Sequence, residues 1–504
     1  MAIIDFFDRG WRINPAAIAY VAGDDEWTYE IAYRRSCRIA NALIRDGAGR
    51  GSKCAVLAGN DPAAWIVVLG IWRANAAFVP LNPRSVPAET ATLLAAFDCD
   101  TLFYQAAFAP LVEVLRASLP LLVRAICIDA GANTGLAIDD WLAGAPEEAP
   151  EVAVAPDDVI SISPTGGTTG QPKGVMNTHR SFQTAMAHLM IANAYSDEER
   201  PVNLAAAPMT HSAGLLTLPV SARGGKVVVL TRPEPAALLD AIERHRVTEF
   251  FLPPTVIYGL LQLPGIADRD FSSLRYFSYG AAPMAVEKLK EAVRVFGPVM
   301  TGFYGQSEAP LTIAALPREA HVGADDETLS SVGLPLPLAS VSIRDDDGQV
   351  VATGETGEIC VAGDLVMAGY YKDPARTAET IVDGWLHTGD LGHLDAHGRL
   401  HITDRKKDMI ISGGFNIFPS EIEQVIWSHP AVSDCAVIGV ADEKWGEAVQ
   451  AVVECKPGSS VTADELAALC RERLGSVKAP KSFRFVDSLP RSAAGKVLKK
   501  DLRG

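Results

Sequence analysis

Short apolar runs alternate with longer amphipathic stretches through most of the chain, and this alternation predicts strands joined by helices. Residues 53–58, Ala77–Leu81, Thr101–Tyr104 and 124–128 read as strands, and residues 63–75 as an intervening helix. Ahead of them, Ile39, Leu43 and Ile44 give an amphipathic helix following Trp27 to Glu30. Later strands are expected at 159–162, 202–206, 274–279 and 299–303, and between the last two Val286, Leu289, Val293 and Phe296 fall at helical spacing. The pattern is that of an α/β domain, and no internal repeat interrupts it. An Ala, Pro and Glu-rich stretch, 143–156, reads as a surface connection.

From Gly384 onward the chain turns polar and glycine-rich. His393, His397 and His401 are four apart, which on a helix would stack three imidazoles like metal ligands. Asp395-Ala-His-Gly398 is turn chemistry instead, so these histidines are expected on a hairpin. The charged run Asp404-Arg-Lys-Lys-Asp408 then marks a boundary between a large N-terminal domain, 1–405, and a small C-terminal domain, 406–504. The small domain reads as α+β. Ser420 with Glu423 suggests a capping box opening a helix to Trp427, strands are expected at 435–440 and 449–454, and Thr462 with Glu465 caps a second helix.

At 504 residues and 48% hydrophobic content the chain is too long for one core and rich enough for two. A net charge of −16 argues against nucleic acid or an anionic membrane as main partner, so any polyanion must be met by local cations. The N-terminus lacks a basic start and long apolar run, and the longest apolar run, 63–72, is too short to span a bilayer; a cytoplasmic protein without integral membrane contact is expected. The eight cysteines form no C-x-x-C pair and read as small buried hydrophobes.

The candidate chemistry sits where strands end. Residues 161–175, Ser-Ile-Ser-Pro-Thr-Gly-Gly-Thr-Thr-Gly-Gln-Pro-Lys-Gly-Val, combine four glycines, three threonines and one lysine directly after an apolar strand. Glycines expose successive N–H groups, hydroxyls add donors and the lysine adds charge, so this stretch reads as a phosphate cradle rather than an ordinary surface loop. Pro172 stands where a Walker A loop needs glycine, and no G-x-G-x-x-G spacing occurs. His211 lies where another apolar run stops. The loops Gly280-Ala-Ala-Pro283 and Tyr304-Gly-Gln-Ser-Glu308 leave the carboxyl ends of adjacent strands, where open α/β sheets bind ligands. An aromatic face, a hydroxyl and a carboxylate within five residues suit a base, a phosphate and a metal. The basic tail 490–500 is, by itself, an ordinary solvated run.

In this order and at these separations, the segments 165–175, 280–283, 304–308, 384–390, 404–416 and 491–496 closely resemble the adenylate-forming superfamily of acyl- and aryl-CoA synthetases, luciferases and peptide-synthetase adenylation domains. The resemblance spans nearly the whole chain and is nearest to stand-alone acyl- or aryl-CoA ligases. It implies a large α/β domain with stacked sheets and helices and a small mobile α+β domain. It also implies a two-step reaction in which a carboxylic acid and Mg-ATP give acyl-AMP and pyrophosphate, and CoA then displaces AMP. By resemblance Thr165, Gly166, Thr168, Thr169 and Lys173 hold the β- and γ-phosphates, Ser307 adds a hydroxyl, and Glu308 binds Mg²⁺. Tyr304 stacks on adenine beside Gly280, Ala281, Ala282 and Gly305, while Asp390 takes the ribose hydroxyls with help from Arg405. Lys496 bridges carboxylate and α-phosphate, and His211 lines the acyl pocket with Met209, Ser212, Gly214 and Tyr279. The small domain turns about Lys407, exchanging the Lys496 face for one with Gly414 and Trp445, while Arg84 and Lys481 match CoA-phosphate positions.

Three departures stand out. Ser307 replaces a common threonine but keeps the hydroxyl, Lys407 replaces an aspartate seen in some members, and Phe415 replaces a carboxylate of aryl-CoA ligases, which leans toward a general acyl-CoA synthetase. The residues near His211 and Gly280 offer no buried cation, so an apolar monocarboxylic acid is expected. Its chain length and aromaticity are not readable. An enzyme loading a carrier-protein phosphopantetheine is the alternative, and a non-catalytic binding relative is a second one opposed by the intact Lys173, Glu308, Asp390 and Lys496. Expected partners are thus the acid, ATP and CoA, without nucleic acid, and a homodimer is allowed for.

Overall fold

The computed structural model describes residues 1–129, 136–165, 172–232, 234–412, 415–442, 445–491 and 497–503, the side chains of Ser212 and Asn416 excepted. Gly166, Thr168, Thr169, Gly414 and Lys496 therefore lie outside the described residues.

Two large sheets carry the N-terminal domain. The first is nine-stranded, in the spatial order Leu334–Pro335, Ala309–Leu316, Met300–Gln306, Tyr276–Gly280, Glu249–Leu252, Val202–Ala205, Lys226–Val229, Ile18–Ala22 and Asp25–Thr28. The second is eight-stranded, in the order Gly369–Tyr370, Lys173–Thr178, Val159–Thr165, Ala77–Leu81, Lys53–Leu57, Thr101–Tyr104, Arg124–Cys127 and Leu136–Ala137. One core fills the space between them, drawing Val56, Phe103 and Val175 from one sheet, Tyr20, Ala205 and Val227 from the other, and Trp65, Trp72, Phe182 and Leu218 from the helices between. The helix Pro62–Arg73 shows how the sequence builds this layer. Asp61 caps it by accepting from the Ala63 N–H at 2.6 Å, Pro62 supplies a preset first turn, and nearly every later residue is apolar and buried. A helix apolar all round belongs between two sheets rather than on a surface.

A third, antiparallel sheet of Ser340–Arg344, Gly357–Ala362, Trp385–Leu394, Ile381–Val382 and Leu400–Arg405 completes this part of the chain. In it His393 pairs with His401 across a hairpin and the rings stack at 4.8 Å, so these histidines decorate a turn as their flanking residues imply. The fourth sheet takes all its strands from Ile410 onward, with the helices Pro419–Trp427 and Ala463–Lys478 packed on it. The Thr462–Glu465 capping box is present. The Ser420–Glu423 box is not: the helix starts at Pro419 without a side-chain cap, the Ser420 hydroxyl donates to the Thr403 carbonyl, and Glu423 turns inward to pair with Lys499 at 2.8 Å. Tertiary partners outcompete the local cap there.

All eight cysteines are free, and all but Cys455 are buried. Among the described residues no helix is long and apolar enough to cross a membrane.

Candidate active site

Parallel pairing of Tyr276–Gly280 with Met300–Gln306 brings the two expected ligand loops side by side. Residues 304–308 are more ordered than a loop reading suggests: the strand runs to Gln306, and Ser307 and Glu308 form the tip of a hairpin with Ala309–Leu316. Space at this corner is minimal. A Cβ on Gly280 would stand 2.5 Å from the Phe303 carbonyl oxygen, and one on Gly305 would stand 2.4 Å from the Leu311 backbone. Ala281 at φ +67° and Leu311 at φ +64° hold left-handed conformations, each costing roughly 1–2 kcal/mol, and both flank the corner.

Tyr304 and Asp390 meet at the same place. The Tyr304 hydroxyl donates to Asp390 at 2.7 Å, and the Arg405 Nε lies 3.0 Å from the other carboxylate oxygen. Strand pairing of Asp390 with Arg405 presets this contact. Burial first, and the Asp390 charge second, push the Tyr304 phenol far above its usual range, so it stays a donor. The carboxylate, 4% exposed, still has lone pairs unused by these two donors.

The other end of the hairpin is cationic. Lys173 pairs with Thr165 at the mouth of its own hairpin and sets its ammonium 5.4 Å from the centre of the Tyr370 ring, whose hydroxyl donates to Glu308 at 2.8 Å. Burial, then the charges of Arg376 and Lys407, holds the Lys173 ammonium below its usual pKa, with Glu308 opposing. Arg376 and Lys407 thus lie near enough to act on the Lys173 ammonium, and Glu308 offsets them. The Asn177 amide donates to the Ser307 carbonyl at 3.1 Å and fixes the hairpin tip against the strand that carries Lys173. Tyr370, Arg376 and Asn177 were not expected as site residues; the only hint was the turn-like Lys372-Asp-Pro374 that follows the tyrosine.

His211 immediately precedes the helix Ser212–Ala222. Its side chain keeps solvent contact inside a crowded cleft, and that crowding lowers the imidazole pKa despite the hydrogen bond to the Thr210 carbonyl at 3.0 Å. Strand alternation reassigns the rest of the expected pocket. Tyr279 faces the helix-covered side of its sheet, donating to His321 at 3.0 Å, whereas Ser278 and Gly280 face the cleft. Met209 is buried in the main core, and a Cβ on Gly214 would meet Trp65 at 2.3 Å, so that glycine serves helix packing. Ser212 opens the helix, and its side chain lies outside the described set.

In the small domain an isolated bridge between Arg491 and Val497 brackets residues 492–496. Arg491 pairs with Asp434 at 2.5 Å, and Asp434 with Cys435 acts electrostatically on Tyr258 of the large domain. Asp434 and Cys435 therefore lie on the side of the small domain near Tyr258. Phe415 is 58% and Trp445 40% exposed, Lys481 is exposed with its ammonium on the Ser476 carbonyl, and Arg84 is exposed in the turn after Ala77–Leu81. Lys407, exposed within the turn Lys406–Asp408, joins the two parts of the chain.

A family model described as AMP-binding enzyme matches residues 7–371, and one described as AMP-binding enzyme C-terminal domain matches residues 421–496. Medium/long-chain-fatty-acid–CoA ligase FadD8 of Mycobacterium tuberculosis is 39% identical over 91% of this chain and 82% of its own length. Feruloyl-CoA synthase of Amycolatopsis sp is 38% identical over 98% of this chain and 97% of its own. The structure of ATP-bound MatB from Rhodopseudomonas palustris superposes with a TM-score of 0.90 at 29% identity, covering 100% of this chain and 98% of that one.

Proposed function

Since the chain belongs to the family of AMP-binding enzymes, we propose that it is an AMP-forming ligase that joins an apolar monocarboxylic acid to CoA. The acid carboxylate attacks the α-phosphorus of ATP and pyrophosphate leaves; the CoA thiol then attacks the acyl-AMP carbonyl, AMP leaves, and the thiol proton goes to solvent. The observation that carries this reading is one hairpin with a ribose-type carboxylate clamp, Tyr304–Asp390–Arg405, at one end and at the other Glu308, held by Tyr370 and facing the Lys173 ammonium. Two ends of one nucleotide need that separation of charge.

Mg²⁺ fits the second end. Among the described residues no three His, Cys, Asp or Glu side chains gather as a cage, and Mg²⁺ of this class rests on one or two carboxylates, with phosphates and water completing its octahedron. Glu308 would hold it, and bound there it neutralises charge on the departing pyrophosphate. The chain's own residues do the positioning. Lys173, with Arg376 beside it, takes phosphate oxygens, Tyr370 orients Glu308, and Asp390 accepts the ribose hydroxyls while Tyr304 keeps its ring fixed against the base. We assign Thr165, Gly166, Thr168, Thr169 and Ser307 to the phosphates and Lys496 to the α-phosphate on the sequence resemblance. Arg84, Gly414, Trp445 and Lys481 are assigned to CoA, reached after a turn about Lys407 between domains 1–405 and 406–504. His211, neutral at pH 7, borders the acid.

The relatives carry fatty and aromatic acid names, which supports an apolar acid without selecting one. The test is to incubate purified protein with Mg-ATP, CoA and graded monocarboxylic acids. AMP, pyrophosphate and acyl-CoA are expected in equal amounts, with aliphatic and simple aromatic acids ahead of dicarboxylates and amino acids. ADP and orthophosphate as products would sink the reading, and acyl-AMP that passes only to a holo-carrier protein would replace the acceptor. A cytoplasmic location accords with these substrates, and light scattering on the same sample tests the homodimer.

A further inference from the structure

Asp390 stands where it does because the sheet around it is irregular. The strand Gly357–Ala362 pairs with Trp385–Leu394 so that Glu358 lies opposite Leu391 and Cys360 opposite His387; Thr388, Gly389 and Asp390 therefore all face the single Ile359. A bulge of this kind breaks the ladder and re-aims a side chain, here the Asp390 carboxylate that Tyr304 and Arg405 hold. On its other edge Asp390 stays in register with Arg405, so the bulge lies on the Glu358 side.

Side chains take up the backbone groups that the bulge displaces. The Gly389 N–H donates to Glu358 Oε1 at 3.0 Å, the Asp390 N–H to Thr388 Oγ1 at 3.1 Å, and that hydroxyl to the Ile359 carbonyl at 2.6 Å. The Gln306 amide reaches the Thr388 carbonyl at a long 3.5 Å, tying the bulge to the strand that carries Tyr304. Strand alternation aims Glu358 at this spot: Ile359 and Val361 enter the main core, so Glu358 and Cys360 share the opposite face. There Glu358 Oε2 lies 3.2 Å from His387 Nδ1 and 3.4 Å from Lys406 Nζ, and the side chain is 12% exposed. The plain alternative is a carboxylate that serves only an ion pair with Lys406. That pair is long, its lysine is half-exposed and shared with Asp346, so it is worth little; a backbone N–H on a largely buried carboxylate is the stronger bond.

Resting on the ligase reading above, we propose that Glu358 is a positioning residue for nucleotide recognition: its carboxylate fixes the bulge that points Asp390 at the ribose hydroxyls. It acts on the sugar without touching it. With Glu358 gone, the Gly389 N–H loses its charged acceptor and the bulge is free to relax, which turns Asp390 away from the ribose. Hydrogen bonds weaken steeply with such misalignment. Phosphate contacts rest on the Lys173 and Glu308 end of the hairpin and do not depend on the bulge. The signature of this role is a loss confined to the sugar.

The experiment measures Kd by titration calorimetry, in Mg²⁺, for ATP and for dideoxy-ATP, the analogue lacking both ribose hydroxyls. The full-length wild-type protein is expected to bind ATP about 10- to 100-fold more tightly, because the dideoxy sugar leaves the Asp390 acceptors unpaired. Glu358→Ala should bring that ratio close to unity, as should Asp390→Ala. Glu358→Asp keeps the charge for Lys406 but stops one methylene short of the Gly389 N–H; it should show the same loss, so the answer does not rest on the alanine chain folding. Glu358→Gln keeps an acceptor for that N–H and should retain the ratio. A general loss of stability would weaken both nucleotides alike and leave the ratio as it was. An unchanged ratio in Glu358→Ala and Glu358→Asp overturns the positioning role and leaves the ligase reading intact; a ratio lost in Glu358→Gln puts the effect in the charge and overturns it too. Equal binding of the two nucleotides by the wild type, or no binding of ATP, takes Asp390 off the ribose and overturns both.

Discussion

Asp390 holds two donors before any nucleotide arrives, and that preorganisation sets what its loss should do. Asp390→Ala removes the ribose acceptor and also frees Tyr304 and Arg405, so the KM for ATP should rise about 10- to 100-fold with a smaller fall in kcat. Steady-state kinetics at saturating acid measures this, and an unchanged KM would remove Asp390 from the nucleotide. Glu308→Gln should instead raise the Mg²⁺ concentration needed for half-maximal rate, because a neutral amide is a poorer Mg²⁺ ligand. At this scale the sequence was legible wherever one residue type has few uses: a lysine after a glycine–threonine loop, or a carboxylate at a strand end. It was silent on Tyr370 and Asn177. Their meaning comes from partners far away in sequence, as when Tyr370 meets Glu308 or Asn177 meets Ser307. It also misassigned Tyr279, because an aromatic beside Gly280 looks like pocket until the strand's two faces are told apart.

Elements were easier to read than the contacts between them. The alternation that predicted 53–58, Ala77–Leu81 and Thr101–Tyr104 reappears within a residue as the middle of one parallel sheet, since buried strands and amphipathic helices differ in period. The hairpin at Ser307 and Glu308 was missed because its turn lacks the usual Asn-Gly or Asp-Gly signal. That corner is intolerant of volume. Gly280→Ala puts a methyl 2.5 Å from the Phe303 carbonyl, so the two strands must part; a loss of roughly 2 kcal/mol in urea unfolding is expected, along with weaker ATP binding. Acid should weaken the fold through two buried histidines. Burial pushes the His179 and His321 imidazoles down to about 4, against about 6.5 when unfolded. Between those values the unfolded chain takes a proton that the native site refuses, so stability present above pH 6.5 is lost as pH falls toward 4. At pH 5 the loss is roughly 2 kcal/mol for each. His321→Gln, which can keep a bond to Tyr279, should reduce the difference between urea midpoints at pH 7.5 and 5, and an unaltered difference would place the sensitivity elsewhere.

The whole molecule shows Asp434, paired with Arg491, on the side of the small domain near Tyr258, with Phe415 and Trp445 exposed. The charged run 404–408 is the joint expected from the sequence, and in the folded chain Lys407 lies close enough to help depress the Lys173 ammonium. Lys407→Pro stiffens that joint, and a burst of pyrophosphate without steady thioester formation is expected; normal turnover would argue against rotation. Lys496→Ala should slow adenylation by on the order of 10² to 10³ yet leave thioester formation from supplied acyl-AMP nearly intact. Arg376 and Lys407 already act repulsively on the Lys173 ammonium. A seated polyphosphate would offset that repulsion and the departure of pyrophosphate would restore it, so product release is expected to favour opening of the joint. Added pyrophosphate should delay the second half-reaction, and raised salt, by screening the repulsion, should slow the swing rather than the chemistry.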